Sequence, residues 1–301
     1  MKATEHRTRV GLAGWSYKDW AGIVYPRPKP AGFHEAKFLA EYFDTIELNV
    51  TFYRPVTAAT ARGWMRLVAA NPDFLFTAKL WRTFTHDRDL SAENEREFRP
   101  AMETLRDEGK LGALLAQFPW SFKNSRESFA YLDALIARFR DFPLVVEVRH
   151  SSWDTPDVYS WLGERNVGIC NIDQPIIGRS IKPGEHLTAP VGYVRLHGRN
   201  YNEWFREVDE DHGSERRYDY LYSQEELQPW ANRIRHISGE ARNTFVITNN
   251  HYLGKGVVNA LELIHILTNK PVNAPAPLVE HYPALVPITT VREVTPSLFP
   301  E

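Results

Sequence analysis

An α/β fold, a single (β/α)8 TIM-type barrel, is what three features of this 301-residue sequence predict. Short β-type runs recur along it, amphipathic stretches with helical spacing separate them, and no Gly/Ser-rich linker breaks the alternation. The runs are Val10–Gly14, Thr45–Asn49, Phe74–Lys79, Gly112–Gln117, Leu144–Val148, Val167–Asn171, Gly192–His197 and Thr244–Thr248. Between and after them Phe33–Phe43, Ala58–Ala70, Glu93–Gly109, Arg126–Arg140, Thr155–Glu164, Ser223–Ser238 and Val257–Leu267 read as helices. Ser125 and Ser223 stand at N-cap positions, and Glu226 completes a capping-box spacing with Ser223.

Three segments depart from the repeat. Gln174–Pro190, after the sixth run, lacks a helical pattern, so one helix of the set is degraded. Arg199–Tyr222 is a long, mixed-charge, aromatic-bearing insertion after the seventh run, a length that points to a functional loop such as a lid. From Pro271 the tail carries Pro275, Pro277, Pro283, Pro287, Pro296 and Pro300, which prevents long helices. The expected organisation is therefore a barrel over residues 1–270 and a tail over 271–301, packed on the barrel as extended chain or flexible.

Composition narrows the function. With 36 Lys and Arg against 38 Asp and Glu, the net charge of −2 argues against nucleic acid or an anionic membrane as partner. One cysteine, Cys170, forbids an internal disulfide or thiolate-rich zinc site and suits a reducing compartment. Neither a signal-peptide pattern nor a run of ~20 apolar residues occurs, so the expectation is a cytoplasmic protein.

Side chains alternate faces along a strand, so parity sorts each run into helix-facing and lumen-facing sets. This aims Glu47, Asn49 and Thr51, Thr77 and Lys79, Gln117, Glu147 and Arg149, Asn171 and Asp173, Arg195 and His197, and Asn249 inward, near the C-terminal strand ends. Barrel enzymes build their sites at that face. Glu47, Glu147 and Asp173 balance Lys79, Arg149 and Arg195 in formal charge, so a self-neutralising buried network is the competing reading. Burying so many ions is costly, which favours a functional use.

Aromatic residues add a second signal: Trp15, Trp20, Trp81, Trp120, Trp153 and Trp204, with Tyr17, Phe52, Tyr53 and Phe118, all follow strand ends, as a rim that stacks on a sugar or base would. A third is Gly254-Lys255-Gly256 before the last helix, a candidate phosphate site or simply a turn. His86, His150 and His197 follow strands three, five and seven and are candidate acid/base groups. Cys170 takes the outward parity and reads as core. His-Glu-x-x-His, the Walker P-loop and the Gly-x-Ser-x-Gly elbow are absent. A divalent metal held by Glu147, Asp173 and His197 is conceivable, but Arg149 and Arg195 would repel it, so no cofactor is predicted.

At these residues the chain resembles the YecE-like family, the barrels known as domain of unknown function 72. The resemblance rests on Gly14-Trp15-Ser16-Tyr17 with Trp20 and Tyr25-Pro26, then Ile46-Glu47-Leu48-Asn49-Val50-Thr51-Phe52-Tyr53-Arg54. It continues in Phe76-Thr77-Ala78-Lys79 with Thr85-His86, Gln117-Phe118-Pro119, Glu147-Val148-Arg149-His150-Ser151-Ser152-Trp153, Tyr193-Val194-Arg195-Leu196-His197-Gly198 and Asn249-Asn250, over roughly residues 10–268. Val50 stands where the family motif has a small polar residue, and the Pro-rich tail is additional. The resemblance implies the TIM-type barrel and no reaction.

The expected function is general acid/base chemistry, hydrolase- or lyase-like, on a polar, anionic or sugar-like small molecule. Glu47, Lys79, Glu147, Arg149, Asp173 and His197 form the catalytic set. Trp15, Tyr17, Asn49, Tyr53, His86, Gln117, His150, Arg195, Asn249 and Asn250 form the binding set. The alternatives are a divalent-metal-dependent hydrolase or isomerase at the same site, and a non-catalytic binder of a phosphorylated ligand or nucleic-acid fragment.

Overall fold

The computed structural model describes residues 7–201, 203 and 214–291. Eight parallel strands close into a barrel in chain order: β1 (Arg7–Ala13), β2 (Thr45–Leu48), β3 (Leu75–Lys79), β4 (Leu111–Gln117), β5 (Leu144–Glu147), β6 (Gly168–Asp173), β7 (Val191–Leu196) and β8 (Asn243–Thr248). Around it run α1 (Glu35–Leu39), α2 (Val50–Tyr53), α3 (Ala58–Leu67), α4 (Arg82–Thr85), α5 (Ala92–Asp107), α6 (Arg126–Phe139), α7 (Pro156–Glu164), α8 (Gln224–Glu240) and α9 (Lys255–Thr268). The single turns α2 and α4 escape the sequence reading because they are too short to show a helical period.

Side-chain caps start five of the longer helices. Thr57, Ser91, Ser125 and Thr155 accept a backbone N–H at the starts of α3, α5, α6 and α7. Ser223 and Glu226 form the capping box that opens α8. Apolar outer faces of the strands, such as Ile46, Leu48, Leu144 and Val146, are buried against the helix ring. At the bottom of the lumen Gly112 makes room for an aromatic ring, since a Cβ there would lie 2.2 Å from Phe245 Cζ.

Gln174–Pro190 is indeed without a helix, and it has another use. It turns back over the end of β5: Ser151 N–H donates to Arg179 O and Ile181 N–H to Arg149 O, each at 2.8 Å. His186 then stacks on Tyr159 of α7 at 3.9 Å.

The tail corrects an expectation, since it is not wholly extended. β9 (Val272–Ala274) and β10 (Thr289–Val291) pair in parallel, with α10 (Ala276–His281) between them. Pro275 and Pro277 sit at the start of α10, where a missing N–H costs nothing, so prolines here open a short helix. Leu278 and Leu285 are buried, and Tyr282 Oη donates to Leu253 O at 2.7 Å. Residues 292–301, with Pro296 and Pro300, lie outside the described residues, as does Trp204. Among the described residues no helix is long and apolar enough to cross a membrane.

Candidate functional site

Arg195 is the hub of the lumen. Fully buried on β7, it donates through Nη2 to Glu47 Oε1 at 2.8 Å and through Nη1 to Glu147 Oε2 at 2.6 Å and Gln117 Oε1 at 2.8 Å. Arg149 donates to Glu147 Oε1 from Nε and Nη2, at 3.0 and 2.8 Å. Tyr193 Oη donates to Glu47 Oε2 at 2.9 Å, with Thr77 Oγ1 at 2.8 Å. His197 lies between Glu147 Oε1, 3.3 Å from its Nε2, and the Asn249 amide, 3.0 Å from its Nδ1.

The electrostatics follow from burial working against charge. Burial would raise the Glu147 carboxyl, but Arg195 and Arg149 overcome it and hold the group well below the usual carboxylate range. Burial, reinforced by Arg195, brings His197 down to about 3, so its ring is neutral at pH 7. Both Glu47 and Glu147 are sealed beneath the mouth, in structural ion pairs.

The parity assigned to β6 is inverted. Gly168 pairs with Val145 and Cys170 with Tyr193, so Cys170 faces the lumen, its Sγ 4.0 Å from Glu147 Oε2. Asn171 and Asp173 face outward. The Asn171 amide donates to His186 O and accepts from His186 N–H, fastening the strap that runs back from β6. Asp173 pairs with Arg199 Nε at 2.9 Å, and Arg199 Nη1 reaches Glu226 Oε1 at 3.1 Å. The set Glu147, Asp173 and His197 therefore does not assemble, and among the described residues no three His, Cys, Asp or Glu side chains converge as metal ligands. The charge balance changes as well: with Asp173 turned outward to Arg199, the described lumen ion pairs join three cations, Lys79, Arg149 and Arg195, to two carboxylates, Glu47 and Glu147, an excess of one positive charge among the described residues.

That excess lies beside a cleft of about 760 Å³ over the ends of β8, β1, β2 and β3. Lys79 and Asn249 belong to its lining, with Gly14, Trp15 and Tyr17 after β1, Asn49, Tyr53 and Arg54 after β2, and His251 after β8. Gly14, at φ +82°, allows this convergence: a Cβ there would lie 3.3 Å from both Asn49 Nδ2 and Tyr17 Oη. Tyr17 stacks on His251 at 4.3 Å, and Trp15 meets Trp64 edge-on at 6.1 Å. Among the described residues the lining holds Lys79 and Arg54 and no carboxylate. Asn49 Oδ1 and His251 Nδ1 are buried atoms with no hydrogen-bond partner among the described residues. Burial, with Lys79 adding to it, brings His251 down to about 4, so it is neutral at pH 7.

Lys79 joins cleft to lumen. It is 9% exposed, and its one ion pair among the described residues, to Glu47 Oε1, is a loose 3.5 Å. Burial and the neighbouring Arg195 lower its ammonium from 10.5 to about 8, against the opposing pull of Glu47.

Other residues singled out in the sequence lie elsewhere. His150 caps the turn at Ser152. His86 bonds Thr85 and touches Phe52 edge-on. The Asn250 amide donates to Tyr220 O and Asn259 Oδ1. Lys255 pairs with Asp219, a Cβ on Gly254 would strike Val24, and Gly256 lies against Asn250. Of the aromatic rim, Trp20, Trp153 and Phe118 are buried core, while Trp15, Tyr17 and Tyr53 line the cleft. Arg54, Thr57, Thr60, Trp64, Tyr218 and His251 line it too, unforeseen from the sequence. Arg54 ends a motif already quoted and His251 directly follows Asn249-Asn250, whereas Trp64, on a helix flank, and Tyr218, in the insertion, carry no local signal.

Comparison with known proteins places this barrel. The family described as "Protein of unknown function DUF72" matches residues 9–281. The UPF0759 protein YunF of Bacillus subtilis (strain 168) is 28% identical over 280 residues, 86% of this chain and 94% of that protein. The crystal structure of a DUF72 family protein from Thermotoga maritima MSB8 aligns with a TM-score of 0.75 at 33% identity, covering 87% of this chain and all of the other. A DUF72 family protein from Enterococcus faecalis V583, at 24% identity and TM-score 0.74, shares the fold over 87% of this chain and 95% of its own. With its closed barrel and a match over most of its length, this chain belongs to the DUF72 family.

Proposed function

We propose that the chain is an enzyme acting by general acid/base chemistry on a polar, anionic or sugar-like small molecule bound in the cleft. The observation that carries the reading is Lys79, lining the cleft with its ammonium lowered to about 8 and with no carboxylate among the described residues of the lining. A side chain poised near neutral pH exchanges protons in both directions, and such groups cluster where chemistry is done. Lys79 is the acid/base residue of this reading. Glu47, Glu147, Arg195, Arg149 and His197 are positioning residues that set its charge from below. Arg54 meets the anionic end of the ligand, Asn49 and Asn249 orient it, and Trp15 and Tyr53 cover its flat face. The barrel over residues 1–270 carries the activity, and the tail over 271–301 is an addition to it.

The test is a metabolite extract incubated with the wild-type protein or with Lys79→Met and compared by mass spectrometry. The wild type consumes an anionic compound, and Lys79→Met lowers its turnover by about 10²–10⁴-fold. A compound that raises the melting temperature of the protein yet is never consumed would overturn the enzyme reading in favour of a binder.

A further inference from the structure

We propose that Lys79 is an imine-forming lysine and that the cleft accepts a small anionic aldehyde or ketone. The proposal rests on the cleft being the reaction site and adds the identity of the reacting bond. Three features of the geometry carry it. Lys79 belongs to the lining of the cleft although it is only 9% exposed, and its Nζ lies 5.7 Å from the centroid of the Phe52 ring. Its ion-pair partner among the described residues, Glu47, already accepts from Arg195 and Tyr193 at 2.8 and 2.9 Å, and holds the ammonium only loosely, at 3.5 Å. Among the described residues the lining offers amide and imidazole groups, Asn49, Asn249 and His251, and no acid that would keep the amine protonated by a tight pair. A desolvated lysine next to another cation is how proteins make a nucleophilic amine at neutral pH.

The step balances without a co-reactant. The neutral amine attacks the carbonyl carbon, a C–N bond forms and the C=O π pair moves to oxygen. One proton passes from nitrogen to that oxygen, giving the carbinolamine. The C–O bond then breaks as the hydroxyl takes a second proton and leaves as water, and the nitrogen lone pair closes the C=N bond. From ammonium and carbonyl to protonated iminium and water, both the atoms and the single positive charge are conserved. Glu47 remains beside that charge, and the iminium draws electrons from the adjacent carbon, which assists proton removal there. Arg54, on the lining and exposed, suits the carboxylate or phosphate of the same compound.

Pyridoxal 5′-phosphate, an aldehyde that bears a phosphate, is the probe, with pyridoxal as its phosphate-free control. The full chain is treated with each at pH 7.5, reduced with borohydride, digested and mapped by mass spectrometry. Lys79 takes up the phosphorylated probe at least roughly tenfold faster than exposed lysines such as Lys18 and Lys270, because burial and Arg195 lower its ammonium to about 8. The rate rises through about pH 8, and pyridoxal labels more slowly. Arg54→Ala removes the preference for the phosphorylated probe and leaves labelling by pyridoxal unchanged. Label distributed over surface lysines, with Lys79 no faster than they are, overturns the imine. Because that reading is made on the wild-type protein, it does not depend on whether a Lys79 variant folds. If Lys79 stays unlabelled while Lys79→Met still abolishes metabolite consumption, the imine falls and the acid/base enzyme stands.

Discussion

The two halves of the barrel mouth carry similar residues and use them differently. On the β5–β7 side the charged groups are closed off: Glu147 lies under Arg149 and Arg195, Asp173 is tied to Arg199, and the strap from β6 bonds to the backbone of Arg149 and Ser151. On the β8–β3 side the loops stand apart, and Lys79, Asn49 and Asn249 line a cleft. On the closed side the carboxylate of Glu147 is already paired with Arg149 and Arg195, and these pairs set the local potential. On the open side, among the described residues, Lys79 is only loosely paired and Asn49 Oδ1 and His251 Nδ1 have no hydrogen-bond partner. Charge in a barrel lumen is thus evidence of a site only where a cavity reaches it.

The sharpest way to break this contrast is Arg195→Met. It removes the cation shared by Glu47 and Glu147 and should cost about 3–5 kcal/mol in urea unfolding at pH 7. An unchanged midpoint would mean that the closed half is not structural.

Next is the pH dependence of stability, in which the two halves act at opposite ends. Lys79 ionises at about 8 in the folded protein and 10.5 in the unfolded chain, so the unfolded chain holds more protons between those values. Stability should therefore rise by up to about 3 kcal/mol from pH 8 to 10.5, and Lys79→Met should abolish the rise. At the acid end His197 is lowered from 6.5 to about 3 and Glu147 lies below its ordinary value, so both contributions are lost as pH falls through that range. Unfolding midpoints measured across the pH range check both slopes.

Asp173→Asn probes the outer edge of the closed half. It should lower stability by about 1–2 kcal/mol through the Arg199 pair and leave metabolite turnover within about twofold. A collapse of turnover would return Asp173 to the site. The smallest effect belongs to Tyr53→Ala: 70% exposed, it should shift stability by no more than about 0.5 kcal/mol while weakening ligand protection in a thermal shift assay.

Much of this was legible before folding is considered. The strand and helix order, the helix-less stretch after β6, and the inward aim of Glu47, Lys79, Glu147, Arg195 and His197 follow from residue alternation and periodicity, which are properties of neighbours along the chain. β6 failed because Asn171 and Asp173 are polar whether they serve the lumen or the strap, and parity orders a strand without saying which set faces in. The aromatic rim holds in part: Trp15, Tyr17 and Tyr53 line the cleft, whereas Trp20 and Trp153 find backbone acceptors at His251 O and Phe122 O, partners distant in sequence.

Local patterning was enough for the barrel, its direction and the end at which polar groups gather, because each depends on spacing between neighbouring residues. Which of those groups are spent in pairs and which meet open space was decided by tertiary structure alone. It depends on Arg195 reaching Glu47 across 148 positions, on the strap closing one side of the mouth, and on α3 and the insertion bringing Trp64 and Tyr218 to the other. Coulomb pairing and desolvation act over ångströms in space, and separation along the chain says nothing of those distances.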